Sequence, residues 1–282
     1  MLISVYMPTK NRAALMAAAV DSVLRQTHAD LELLIVDDGS TDDTPALLAK
    51  FAMQDRRVRV ITHAQSQGGA VARNAAIMAS RGDFVTGLDD DDTFTPDRLA
   101  RFAATWSECE QAGGPLPSAL YSQLSIVENG TVVGQTCKRP TATFDDMFRE
   151  NAVGNQIFAP RHHYIEAGLF RPGLPAWQDL EFFMRILKRF GPARLVDAAT
   201  YHWDNSPRTD RVSLKSEEKM RAAFKAVCQA HVGAVPRREQ MLYLQLFGRF
   251  YGVKPTLEDW RQFVRLGFWP RGCARMLREQ LR

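Results

Sequence analysis

Residues 82–92 read GDFVTGLDDDD, an apolar, β-branched run that ends on four consecutive aspartates, Asp89 to Asp92. Adjacent carboxylates repel one another and resist burial. Carboxylates gathered at a strand end serve two chemistries. They ligate a hard divalent cation such as Mg²⁺ or Mn²⁺, which accepts one or two carboxylates together with substrate phosphates, or they move protons as acid and base. An Asp-x-Asp spacing in a turn aims two carboxylates at one point. Taken alone, a solvated acidic loop or a helix N-terminus ahead of Thr93 and Pro96 accounts for the cluster equally well.

Two further stretches carry ligand-type chemistry. VDDGSTDDT sets Asp37 and Asp38 before Gly39, where a carboxylate suits a base imide N–H or a ribose hydroxyl. QGGAVARNAAI sets Gly68 and Gly69 where backbone can approach a ligand, with Arg73 one helical turn later. Arg suits phosphate or base contacts. A plain turn and a surface arginine are the bland readings of each. Later in the chain, WQDLEFFMRILKRFG places Asp179 at the start of an amphipathic helix, where helix capping alone explains it.

These residues need elements to position them. LISVYMP, LELLIVDD, RVRVITH and DFVTGL read as strands. RAALMAAAVDSVLRQ, TDDTPALLAKFAMQ and AVARNAAIMASR read as the intervening helices, the last stopped by Gly82. A further helix is expected to open at Thr95 and Pro96. The alternation predicts a largely parallel, doubly wound α/β sheet whose ligands lie outside the carboxyl ends of the strands. PTKNR, DDGSTDD, HAQSQGG and DDDD all fall at those ends. SALYSQLSIVENGTVVG reads as a hairpin around Asn129 and Gly130, ARLVDAATYHW as a late strand, and TFDDMFREN as a short helix. From Ser206 the pattern turns helical and basic.

Composition narrows the class. The chain has 282 residues and a net charge of +4, but residues 207–282 hold 16 Lys and Arg against 7 Asp and Glu. That basic tail suits an anionic membrane surface or is a solvated helical face. Its aromatics, Phe247, Phe250, Tyr251, Trp260, Phe263, Phe268 and Trp269, either rest on a leaflet or pack on the rest of the chain. The cysteines Cys109, Cys137, Cys228 and Cys273 form no CxxC pair and read as reduced thiols. The N-terminus reads as a strand, not a signal peptide, and no apolar run approaches the ~20 residues that span a bilayer. A cytoplasmic protein is expected, at most resting on the inner face of the cytoplasmic membrane.

ISVYMPTKNR, LELLIVDDGSTDDT, GGAVARNAAI and GDFVTGLDDDDTFTPDRL, in this order and at this spacing, resemble a family 2 glycosyltransferase with the GT-A fold. The resemblance covers about residues 2–205 and implies a catalytic domain over 1–205. Within it, 1–92 forms a nucleotide-sugar half and 93–205 an acceptor half; 206–282 is a helical extension. It implies that Pro8 and Thr9 line the nucleotide, that Asp38 accepts from the base, and that Arg73 holds the nucleotide. Asp89, Asp90 and Asp91 take the Asp-x-Asp position, with Asp90 toward the ribose and Asp91 toward Mg²⁺ or Mn²⁺. Asp92 lies just past the motif in a helix-capping role. Asp179 would be the base, with Gln178 where the family commonly has Glu, and Glu181 the runner-up. Trp177 stacks on a sugar or packs in the core. His202 is a candidate second metal ligand, and Arg208 and Arg211 are candidates for the leaving diphosphate. The reaction implied is inverting transfer from a nucleotide-diphosphate sugar (UDP or dTDP) to a bacterial surface glycan or glycolipid such as lipopolysaccharide core, O-antigen or capsule.

Two other readings compete. A nucleotidyltransferase would also use strand-end carboxylates and a metal, but MPTKNRAA lacks a glycine-rich phosphate loop. A non-catalytic nucleic-acid binder would use the tail, whose aromatics sit at helical intervals better suited to a core; no nucleic acid is expected as partner.

Overall fold

A computed structural model describes residues 1–207, 216–248 and 251–281. The expectations for Arg208, Arg211 and Phe250 lie outside the described residues. The chain opens with β1 (Ile3–Thr9), α1 (Ala13–Leu24), β2 (Leu31–Asp37), α2 (Thr44–Gln54), β3 (Val58–Thr62), α3 (Gly69–Ala79) and β4 (Phe84–Gly87). It continues with β5 (Thr93–Phe94), α4 (Arg98–Gln111), β6 (Leu120–Glu128), β7 (Thr131–Gln135) and β8 (Thr141–Ala142). A 3-10 turn (Asp146–Phe148), β9 (Phe158–Pro160), α5 (Arg161–Glu166), α6 (Gln178–Phe190) and β10 (Ala193–Asp204) follow. Among the described residues, four helices follow: α7 (Glu217–His231), α8 (Pro236–Leu246), α9 (Leu257–Arg265) and α10 (Pro270–Leu281). Among the described residues, no helix is long and apolar enough to cross a membrane.

The strands run β3-β2-β1-β4-β9-β6-β10-β5 in one mixed sheet. β1 to β4 are mutually parallel. β9 lies antiparallel between β4 and β6, and joins this parallel half to a second parallel pair, β6 and β10. Thr9 pairs with Asp37 and Asp37 with Thr62, so the carboxyl ends of β1, β2 and β3 form one edge.

Side chains alternate across a strand, and both faces are buried. Ile3, Val5 and Met7 pack with Met16, Val20 and Val23 of α1 and with Phe102 and Trp106 of α4. Tyr6, Leu34 and Val36 face the other core, with Ala72, Ala76 and Ile77 of α3 and Phe182, Phe183 and Ile186 of α6. Each such aromatic or aliphatic side chain contributes about 1.5–3 kcal/mol when fully buried.

Phe247 and Phe263, at 1% and 0% exposure, belong to that second core, which is how the helical extension packs on α6. For these two aromatics the packing alternative holds. Phe268 is the exception, at 75% exposure.

Three local expectations are corrected. The fourth helix opens at Arg98, not Thr95, because Thr93 and Phe94 pair with His202 and Tyr201 as β5. The third helix ends at Ala79 rather than being stopped by Gly82; Gly82 lies against β1, where a Cβ would stand 2.7 Å from Ser4 Oγ. The helix expected over TFDDMFREN is only the 3-10 turn.

Candidate active site

The edge where β1, β2 and β4 end collects the residues singled out from the sequence. Pro8 is half-buried opposite Val36, and Thr9 is 3% exposed. Gly87 pairs with Tyr6, so the chain beyond β4 turns back over the end of β1. There the Thr9 hydroxyl donates to Asp90 Oδ2 at 2.7 Å. Gly87 has a steric reason: a Cβ there would overlap Gln156 Oε1 and the Tyr6 ring. The Tyr6 hydroxyl donates to Gln156 Oε1 at 2.7 Å, which ties β1 to the loop before β9. Gly87→Ala is therefore expected to cost about 1–3 kcal/mol by overpacking, read as a lowered denaturation midpoint.

The acidic turn is not four equivalent carboxylates. Asp89 Oδ1 accepts from Arg73 at 3.0 Å and from Gln156 Nε2 at 3.4 Å. Burial pushes Asp90 up to about 6, against its bond from Thr9, and the neighbouring charges of Asp91 and then Asp89 add to the rise. Asp91 is half-buried beside it. Asp92 departs from the expected capping role. It is 2% exposed, accepts from the Tyr201 hydroxyl at 2.7 Å and from the Asp204 amide at 2.8 Å, and so ties the turn to β10. Burial, then the charges of Asp89 and Asp91, raise its carboxyl well above the ordinary range. The N-cap position of α4 falls to Asp97. His202 pairs with Thr93 next to this turn, with Nδ1 3.5 Å from Thr93 Oγ1, and burial lowers its pKa. Among the described residues, no three His, Cys, Asp or Glu side chains converge as a metal cage.

At the end of β2, Asp38 is engaged by the protein itself. His63 Nδ1 and the Gln67 amide meet Oδ1 at 2.7 and 2.8 Å; Ser66 Oγ and the Gly68 amide meet Oδ2 at 2.7 and 2.8 Å. Gly39, at φ +74°, lets this loop close, since a Cβ would stand 2.8 Å from the Ser66 amide nitrogen. A base N–H would thus compete with four internal partners for Asp38. Burial raises the Asp38 carboxyl, but the four contacts outweigh it and hold it down to about 2. A depressed carboxylate stabilises the fold above its unfolded pKa of about 4, and this contribution is lost as pH falls from there toward about 2. Asp38→Asn is expected to cost about 2 kcal/mol at pH 7, with the gap to the parent closing below pH ~4. Urea titrations at pH 7 and pH 3 measure it.

Arg73 joins the two halves of the site. Its guanidinium meets Asp89 at 3.0 Å and Gln178 Oε1 at 3.3 Å, over the Phe170 ring. Burial opposes its charge, but Asp89, Tyr6 and Asp179 together outweigh that and raise its pKa. Asp179 follows Gln178 in the first turn of α6, and Asn151 Nδ2 donates to its Oδ2 at 2.8 Å. Burial raises the Asp179 pKa, only partly countered by the Leu180 amide and Arg73. Trp177 is 6% exposed, packs edge-on against Tyr251 and stands at φ +57°, a left-handed setting that a bulky residue rarely adopts. That burial selects core packing over sugar stacking. Glu181 does not reach the site. It is 2% exposed and bound by Arg185 at 2.9 Å and His231 at 3.2 Å.

Tyr6, Asn151, Gln156 and Tyr201 were not anticipated. Gln156, Tyr201 and Asn151 orient Asp89, Asp92 and Asp179, and Tyr6 orients Gln156, each through a contact 67 or more residues away or, for Asn151, 28 residues away. Local patterning carries no trace of such pairs. Lys138, also unanticipated, clamps the loop that bears Asn151 by donating to Val153 O and Ser122 O, each at 2.9 Å.

Residues 4–158, more than half of the chain, match glycosyl transferase family 2. The chain is 34% identical over 204 residues to the putative colanic acid biosynthesis glycosyl transferase WcaA of Escherichia coli (strain K12), covering 71% of each. It is 30% identical over 190 residues to the putative teichuronic acid biosynthesis glycosyltransferase TuaG of Bacillus subtilis (strain 168), covering 67% of this chain and 73% of TuaG. Among solved structures, S. aureus TarS in complex with UDP-GlcNAc overlays with a TM-score of 0.72 at 20% identity, over 94% of this chain and 79% of that one. The fold is thus the GT-A fold of sugar transferases. The chain belongs to glycosyl transferase family 2, and it is a glycosyltransferase.

Proposed function

We propose that the protein transfers a sugar, with inversion, from a UDP-sugar to a hydroxyl of a cell-surface polysaccharide or its glycolipid precursor. The observation that carries this reading is the bridge made by Arg73. It links the acidic turn to the first turn of α6 and so brings Asp179 beside the donor edge. The UDP-GlcNAc complex of TarS supports the donor class, and the names of WcaA and TuaG support the acceptor class.

Asp179 takes the proton from the acceptor hydroxyl as that oxygen attacks the anomeric carbon. A raised pKa makes it the stronger base. Attack from the face opposite the leaving diphosphate inverts the centre without a covalent enzyme intermediate. Thr9 fixes Asp90 at the ribose side, and Asp38 shapes the nucleotide side by holding the Ser66–Gly68 loop. The turn's donors are hard oxygens whose like charges crowd one another. They suit Mg²⁺ or Mn²⁺, which would share its remaining positions with substrate phosphates. Asp91 is the ligand assigned here, with His202 near it as a second. Such an ion would neutralise charge on the departing diphosphate.

The extension supplies a membrane-facing surface in the same reading. Leu257, Phe268 and Leu281 are 76%, 75% and 79% exposed among the arginines of α9 and α10, a pattern that suits an anionic leaflet. Phe268→Asp is expected to reduce co-sedimentation with phosphatidylglycerol vesicles.

The test of the donor reading is a thermal-shift panel of UDP, dTDP, GDP and CMP and their sugars, with Mn²⁺, Mg²⁺ or EDTA. A metal-dependent rise with UDP is expected, because a ligand of the native state raises the melting temperature by mass action. A rise with another base alone overturns the UDP assignment.

A further inference from the structure

Away from the donor edge, a cleft of about 330 Å³ opens between the 3-10 turn and the start of α8. Arg149, Arg237 and Arg238 line it, with Asp145 and Asp146. Both acids are already engaged. Asp145 pairs with Arg238 at 2.8 Å. Asp146 accepts from the Thr143 amide and hydroxyl at 3.0 and 2.6 Å, and from Arg139 at 3.2 Å. Their ion pairs leave Arg237 without an acidic partner among the described residues, while Arg149 acts on Asp146 only through space, after Arg139. Arg237 stacks on Trp269, with its guanidinium carbon 4.4 Å from the ring centroid. Its Nη1 is shut from solvent and has no hydrogen-bond partner. A guanidinium N–H left without an acceptor is costly, and a planar arginine fork held on an aromatic face suits the oxygens of a phosphate.

Position decides which phosphate this is. Arg149 stands two residues before Asn151, whose amide donates to Asp179 at 2.8 Å. Two residues span at most about 7 Å. On the far side, Trp269 follows Phe268, which is 75% exposed. The cleft's arginines are thus connected to the candidate base through Asn151 and, through Trp269, to a protruding apolar side chain. A molecule with a sugar at one end, a phosphate in the middle and a hydrocarbon at the other matches that order.

We propose that this cleft binds the phosphate or diphosphate of a lipid-borne acceptor and thereby sets the acceptor sugar beside Asp179. The proposal rests on reading Asp179 as the base of sugar transfer. It adds the chemical class of the acceptor's linkage and the residues that recognise it.

The test titrates the full chain with geranyl diphosphate, kept below its micelle concentration and with EDTA present, so that no metal recruits diphosphate to the donor edge. Arg149→Glu is expected to weaken binding by at least about tenfold, the scale of one charge-assisted contact. Its melting temperature and its Mn²⁺-dependent affinity for UDP should match the parent, since Arg149 is exposed and touches no donor residue. Arg237→Gln should weaken the same titration. Equal binding by parent and Arg149→Glu, or no binding by the parent, overturns the proposal. So does inorganic phosphate binding as tightly as geranyl diphosphate, which would make the cleft a simple anion site. Loss of binding to phosphatidylglycerol vesicles with geranyl diphosphate unaffected would assign the arginines to headgroups and overturn it too. If the parent fails to bind UDP, the donor reading fails, while the geranyl diphosphate result still decides the cleft.

Discussion

Asp179→Asn is expected to bind UDP and UDP-sugar as the parent does and to turn over about 10²–10⁴-fold more slowly, the range for losing a positioned general base. The substitution is nearly isosteric. Asn151 Nδ2 now donates to Asp179 Oδ2 at 2.8 Å, and the carboxamide oxygen of the variant accepts the same bond. The first turn of α6 keeps its shape, and Arg73 keeps its contacts with Asp89 and Gln178. What disappears is the ability to take a proton. The loss should therefore fall on kcat, with KM for the donor little changed. In the parent, kcat/KM should fall as pH drops through the raised Asp179 pKa, because the base is then protonated; this acid limb should vanish in the variant. Retained turnover would place the base elsewhere. It would not be Glu181, whose carboxylate is closed off by Arg185 and His231. Glu181→Gln should show its effect in the melting temperature, through a weakened link between α6 and α7.

The same contrast explains what the sequence made legible. The four-strand parallel half was readable because each strand is a short apolar run ending in polar, glycine-rich residues, and the helices between carry a clear period. Asp89, Asp90, Asp91 and Arg73 could be picked out because side chains at the ends of parallel strands, and early in the helix that follows such a strand, share one edge whatever the details of packing. β9 was not readable. FAP is three residues long and exists as a strand only because β4 and β6 stand ready on either side. β5 is similar, two residues held by Tyr201 and His202. Asp92 was misjudged because its partners lie more than a hundred residues away on β10. Asp38 shows the limit from the other side: its position at the strand end was legible, but not that four contacts from the following loop would occupy both of its oxygens.

Asp91→Ala should abolish the metal-dependent part of donor binding. In the parent, UDP with Mn²⁺ is expected to raise the melting temperature well beyond UDP with EDTA. In the variant the two curves should coincide. The reasoning is electrostatic. The turn holds Asp89, Asp90 and Asp91 close together, and the charges of Asp91 and Asp89 add to the burial that lifts Asp90 to about 6. Asp91 is the ligand proposed above, and its carboxylate is the one this variant removes. Removing its carboxylate also lowers the local repulsion, and the readout is the Mn²⁺-dependent increment rather than the melting temperature of the free variant. Asp92→Asn provides the opposite signature. Asp92 is buried and bonded to Tyr201 and the Asp204 amide, so its substitution should act on the melting temperature of the free protein. The Mn²⁺-dependent increment should survive there. A parent whose UDP shift is the same in Mn²⁺ and in EDTA would sink the metal assignment. Asp91 and its neighbours would then serve the nucleotide directly, and the diphosphate charge would have to be met by protein cations, beginning with Arg73.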